Sequence, residues 1–332
     1  MNKILLGLTF SLLTVMTSAQ DVSELHANAK AFMQQKDYAN ATLILVRAIK
    51  MEPNNLALAK DLAFNYYLQN EHDKATKVLS PFFDRNTADD QAYQIGGLIY
   101  KVTGNFKEAD KLFKKGLKSF PQSGPLYNDY GELLWMQQDF SAIKIWEKGI
   151  QEDPAFGTNY YNAAKYYYLS KDKIWSIIYG EIFLNVESFT ARSAEMKNIL
   201  LESYKKLFAD ADLLADTKDK NEFEIAFLST MNKQNSIVHR GIGVESLTMI
   251  RTRFILDWNT NYRKKFPFYL FEVQNKFLAE GMFPAYNQWL FGSVQNLSAY
   301  QNWVNLNKEE NNAFTSFQKA NFFRMPPGQY YH

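Results

Sequence analysis

Chemistry in this chain has to come from few residue types. There is no cysteine, and the four histidines, His26, His72, His239 and His332, are widely separated. The lack of thiols excludes disulfides, zinc–thiolate sites, iron–sulfur clusters and thiol catalysis. His239 has neither a second His nor a carboxylate at a helical metal-ligand spacing, so a solvated or hydrogen-bonded ring is expected. Gly241-Ile242-Gly243 lacks the third glycine and the preceding strand of a dinucleotide-binding turn, and is expected to break a helix. No loop ends in Gly-Lys-Ser or Gly-Lys-Thr, which leaves no phosphate-cradling motif. Catalytic carboxylate pairs are set by distance in space, so the sequence leaves them open. Arg251, Arg253, Arg263, Lys264 and Lys265 form a local positive cluster. Its functional reading is a site for an anionic partner over Arg251–Lys265, and its plain reading is a solvated helix face and loop. No catalytic residue, metal or cofactor is expected, and the chain is read as not an enzyme. With 37 Lys+Arg against 35 Asp+Glu, no basic excess marks a nucleic-acid binder.

The elements that would position any site follow a period. Ala29, Ala63, Gly97, Gly131 and Ala164 stand 34, 34, 34 and 33 residues apart. Phe32, Tyr66, Tyr100, Leu134 and Tyr167 keep step three residues later, as do Ala41, Ala75, Ala109 and Ala142 further on. Pro53, Pro121 and Pro154 close three of the units, with Thr87 at that position in the second. Each class has a physical reason. Small residues let two helices approach where a larger side chain would overpack. The aromatic or Leu fills the space between units. Proline ends the second helix, having no donor for the ladder. His26 and His72 fall inside this register, which favours packing over catalysis for both.

This pattern resembles the tetratricopeptide repeat, a helix–turn–helix unit of 34 residues, over about Val22 to Thr190 in five units. The resemblance implies an all-α helical-hairpin solenoid whose first helices (the A helices) line a concave groove. It also implies which positions face inward, namely those three before, one after and four after each small residue. These are Lys60, Phe64 and Tyr67; Gln94, Leu98 and Lys101; Asn128, Glu132 and Trp135; and Tyr161, Lys165 and Tyr168. An aromatic stripe with Lys and Asn between suits a protein or peptide partner with apolar anchors.

Three further readings complete the organisation. Lys3, an apolar run from Ile4 to Met16, and Thr17-Ser18-Ala19 have the layout of a secretory signal peptide cut after Ala19. Export to the periplasm or the cell exterior is therefore expected, with no transmembrane segment in the soluble mature chain. The domains are read as a signal peptide at 1–19, five hairpins plus a capping helix (Arg192 to Phe208) at 20–209, and a helical domain at 210–332. Helices are expected from Val244 to Trp258, Pro267 to Ala279, Pro284 to Phe291, Leu297 to Leu306 and Lys308 to Phe323, before an extended tail. Residues 262–332 hold 18 aromatics in 71 positions. In helices this short, bulky rings are expected to be core. The function that follows is a non-catalytic interaction scaffold. Its alternative is an envelope enzyme or carbohydrate-binding protein with a site in the aromatic C-terminal half.

Overall fold

A computed structural model describes residues 22–239 and 241–332; the expected signal peptide and its cleavage site lie outside them. Among the described residues there are helices and no strand. Helix–turn–helix pairs follow one another in the predicted register: α1 (22–34) and α2 (Tyr38–Met51), α3 (Leu56–Leu68) and α4 (His72–Asp84), α5 (Asp90–Val102) and α6 (Phe106–Ser119), α7 (Gly124–Met136) and α8 (Ala142–Glu152), α9 (Gly157–Leu169) and α10 (Ile174–Val186). Packing divides the chain into two compact units, one ending at Gln138 and one starting at Asp139. That division falls inside the repeats, whereas the repeat register is lost near residue 210.

In the first unit the turn chemistry repeats as strictly as the core. Lys36, Asn70, Gly104 and Gln138 have φ of 61, 61, 71 and 60° and stand 34 residues apart. The following amide then turns back to the aromatic three places after the small residue: Asp37 N to Phe32 O, Glu71 N to Tyr66 O and Asn105 N to Tyr100 O, each 2.9 Å. A left-handed residue that closes a helix this way satisfies a carbonyl otherwise left orphaned. Asn55 and Asp89 cap α3 and α5 by accepting from Leu58 N and Ala92 N. The small residues are where helices touch. Ala29, Ala41, Ala63, Ala75 and Ala109 are all 0 % exposed, and a Cβ on Gly97 would lie 2.1 Å from Phe113 Cζ.

In the second unit α10 is buried continuously from Ile174 to Leu184, against α9, α11 (Ala191–Leu207) and α12 (Glu222–Asn232). A helix covered on every side has no reason to keep a small-residue stripe, which explains its divergent sequence. The amphipathic α11 buries Met196, Leu200, Tyr204 and Leu207. After the polar stretch 210–220 come α12, α13 (Asn235–Val238), α14 (Val244–Asn261), α15 (Tyr269–Ala279) and α16 (Phe283–Asn287). A π turn (Gln288–Gly292), α17 (Ser293–Gln295), α18 (Leu297–Leu306) and α19 (Lys308–Ala320) follow. Gly241, with φ of 89°, stands in the break before α14, as expected.

Half of the eighteen aromatics at 262–332 pack as core, among them Phe266, Phe268, Phe271, Phe283, Tyr286, Trp289 and Phe291, whereas Tyr269, Tyr300 and Trp303 are half-buried and Phe322 is exposed. Residues 321–332 are not helical and dock as the expected strap. Tyr331 stacks on Phe223 at 4.7 Å and donates its hydroxyl to the Pro267 carbonyl at 2.7 Å. The Tyr269 amide donates to Gln329 at 2.6 Å, and Met325 is 2 % exposed. No helix among the described residues is long and apolar enough to cross a membrane.

Candidate functional site

Nine of the twelve residues read as groove-facing lie in the first unit, and five of these come together around one cavity. Phe64 on α3 and Leu98 and Lys101 on α5 line a space of ≈ 320 Å³ with Gln94 and Glu132, which share the inward positions. Phe113 of α6, itself wholly buried, also lines it. Gly97 makes that possible, because any side chain there would occupy the place of the Phe113 ring. The cavity also takes Asp61, Ile95 and Asp129, a row two residues before each small residue that the inward pattern left out. Their 34-residue spacing was in the sequence, but nothing in residue type separated Asp61 and Asp129 from a solvated face.

The remaining first-unit residues differ in access. Tyr67 stacks on Phe64 at 5.8 Å and meets the His72 ring at 5.8 Å, so His72 packs as its place in the register implied. Trp135 is 37 % exposed, whereas Asn128 is buried and donates its amide to Asp129 at 3.1 Å. Lys60 is engaged by Asp89 at 2.5 Å and Gln91 at 2.8 Å, and Lys101 by Glu132 at 2.9 Å. Asp61 takes His26 at 2.5 Å and Lys30 at 3.6 Å. Burial pushes the Asp129 carboxyl up to about 6, against the pull of the Asn128 amide and of Lys101.

In the second unit the three remaining residues do not form an open patch. Tyr161 is buried and donates its hydroxyl to Glu195. Lys165 pairs with the same Glu195 at 2.7 Å and lies 4.9 Å over the Tyr161 ring. The Lys165 hydrogen bond, and then that from Tyr161, hold Glu195 below the usual carboxylate range. Tyr168 carries the Lys206 ammonium 3.6 Å over its ring.

The positive cluster read at Arg251–Lys265 is corrected by the packing. Arg251 is 1 % exposed, paired with Glu181 and hydrogen-bonded to Asn287 inside the second unit. Gln274 and Tyr286 also donate to Glu181, at 2.6 and 2.7 Å. A buried guanidinium needs such an acceptor, so Arg251 belongs to the core. Of the rest, Lys265 faces Glu222 at 3.0 Å and Arg263 faces Glu272 at 3.8 Å. The cluster is therefore not one positive surface. A second buried carboxylate, Glu147, accepts from Tyr167 at 2.7 Å and lies 3.3 Å from His332 of the strap.

Three comparisons show what the chain is similar to. A family model described as "Tetratricopeptide repeat" matches residues 32–95. A TPR-containing protein of Dictyostelium discoideum is 36 % identical over 78 residues, 23 % of this chain, which spans 6 % of that relative's length. Among solved structures, a tetratricopeptide repeat protein from Parabacteroides merdae is 16 % identical, with a TM-score of 0.44, over 73 % of this chain and 92 % of that one. The structure titled for Pseudomonas aeruginosa pilF is 13 % identical, with a TM-score of 0.48, over 64 % and 99 %.

Proposed function

Given a tetratricopeptide-like repeat protein, we propose that this chain is a non-catalytic, exported scaffold that holds a protein or peptide on the inner faces of its A helices. The observation that carries the reading is the cavity on α3, α5 and α7, where Phe64, Leu98 and Lys101 converge over an apolar floor. A concave, mostly preformed pocket with a few polar groups at its rim suits an apolar anchor side chain. Periplasmic or secreted placement rests on the sequence of residues 1–19, and N-terminal sequencing of the mature protein tests it; a retained Met1 in exported material sinks it. The groove is tested by a photo-reactive amino acid at Leu98 in cells, with the same group at Leu43, an α2 residue 69 % exposed, as control. A partner that crosslinks from Leu98 and not from Leu43 is expected. Equal yields from both positions refute the groove.

A further inference from the structure

The inner face of the first unit carries bases, but they are already matched. Lys60 is held by Asp89, Lys101 by Glu132, and His26 with Lys30 by Asp61. Asp129 differs. It faces the cavity and accepts from the Asn128 amide, and among the described residues it takes part in no ion pair. Beside it lie Phe64, Ile95, Leu98 and Phe113. A carboxylate outside any ion pair and next to an apolar pocket is complementary to a cation borne next to an apolar side chain. We propose that the groove's occupant is a peptide segment with a Lys or Arg beside an apolar anchor, the anchor on Phe64 and Leu98 and the cation at Asp129.

This rests on the groove reading above and gives it a sign. An acidic segment would find Lys60 and Lys101 engaged and Asp129 repelling it. Burial disfavours the Asp129 charge in the free protein, and an arriving cation relieves that cost, which places the charge preference at this residue.

The experiment is fluorescence anisotropy on the full chain with three labelled peptides that share Leu anchors and carry Lys, Gln or Glu beside them. The Lys peptide should bind about tenfold more tightly than the Gln peptide, as one charge-assisted hydrogen bond implies. Asp129→Asn should erase that difference, Asp129→Glu should retain it, and Leu98→Gln should weaken all binding, with each variant folded by circular dichroism. Equal affinity for Lys and Gln peptides, or preference for Glu, overturns the charge while loss in Leu98→Gln keeps the groove. Absence of binding by the Lys peptide also overturns the inference. Binding that Leu98→Gln leaves intact takes the groove reading down with it.

Discussion

Gly97→Ala is the smallest change that tests how the repeats are held. The added Cβ would lie 2.1, 2.4 and 2.8 Å from three carbons of the Phe113 ring, where ordinary contact begins at 3.4 Å. The ring must therefore move by more than an ångström. It is 0 % exposed and lies 6.1 Å from the Tyr130 ring, whose hydroxyl is tied to Asp110 at 2.9 Å. Overpacking of this kind costs ~1–3 kcal/mol, and the severity of the contact puts Gly97 toward the upper end. Helix propensity works the other way, by up to ~1 kcal/mol in favour of Ala. The net expectation is a loss of about 1–2 kcal/mol. Urea denaturation followed by circular dichroism measures it, with exposed Asn105→Ser as a control within ~0.5 kcal/mol of the parent. Phe113→Leu should relieve the clash, so the double variant should lose less than the two single losses together, with coupling of ~1 kcal/mol. A Gly97→Ala protein as stable as the parent, or additive behaviour with Phe113→Leu, refutes the assigned helix contact.

Four other outcomes follow from the same structure. Glu181→Ala leaves Arg251 buried and unpaired and should cost ~3–5 kcal/mol, whereas Glu181→Leu with Arg251→Met should cost less; thermal melts compare the two. Burial pushes the Glu147 carboxyl up to about 7, above its unfolded value. Its contribution is therefore full below the unfolded pKa and is lost as pH rises through about 7, a change on the order of 3 kcal/mol. Glu147→Gln should flatten the fall in stability between pH 5 and 8, and a parent-like slope in the variant would remove Glu147 as its cause. Tyr331→Ala removes the stack on Phe223 and should speed proteolytic cleavage within 321–332; an unchanged rate would mean that other contacts hold the strap. On a recovered partner, Tyr67→Ala or Trp135→Ala should weaken binding by ~2 kcal/mol or more with helicity unchanged. Full affinity in both would move the contact off these helices.

What was legible in the sequence was periodic. Small residues, aromatics and turn residues recur because each repeat meets its neighbour in the same way, so the hairpins are legible in the register from α1 to α9, while α10 lacks the small-residue signature. Helix α14 is legible from apolar spacing and α15 from Pro267 before it and Gly281 after it, whereas the reading of the sequence passes over α12. Its signals are local all the same: Phe223, Ala226, Phe227 and Met231 keep i, i+3, i+4, i+8 spacing behind the Asn221–Glu224 capping box. Arg251 was misplaced for a different reason: its partner Glu181 is 70 residues away, and no local pattern reports that distance. In the cavity, Phe64, Leu98 and Lys101 were readable from the family's inward positions. Asp129 became distinct only when the neighbouring charges were seen to be matched.

The ion pairs between successive repeats share one more property, their direction. His26 to Asp61, Lys60 to Asp89 and Lys101 to Glu132 in the first unit, and Lys165 to Glu195 in the second, each place the base on the earlier element and the acid on the later. Such a joint is head-to-tail and not self-complementary. Each pair is worth little, ~0–1 kcal/mol at these exposures, so its value lies in discrimination. A repeat laid down in the reverse sense would set base against base or acid against acid, and like charges opposed cost what matched ones gain. The pairs sit at different places in the register, His26 and Lys60 three residues before the small residue, Lys101 four after it and Lys165 one after it, so each joint carries its own match. The joint is thus a directional syntax: each repeat is matched to the one that follows it, and a module read backwards is penalised.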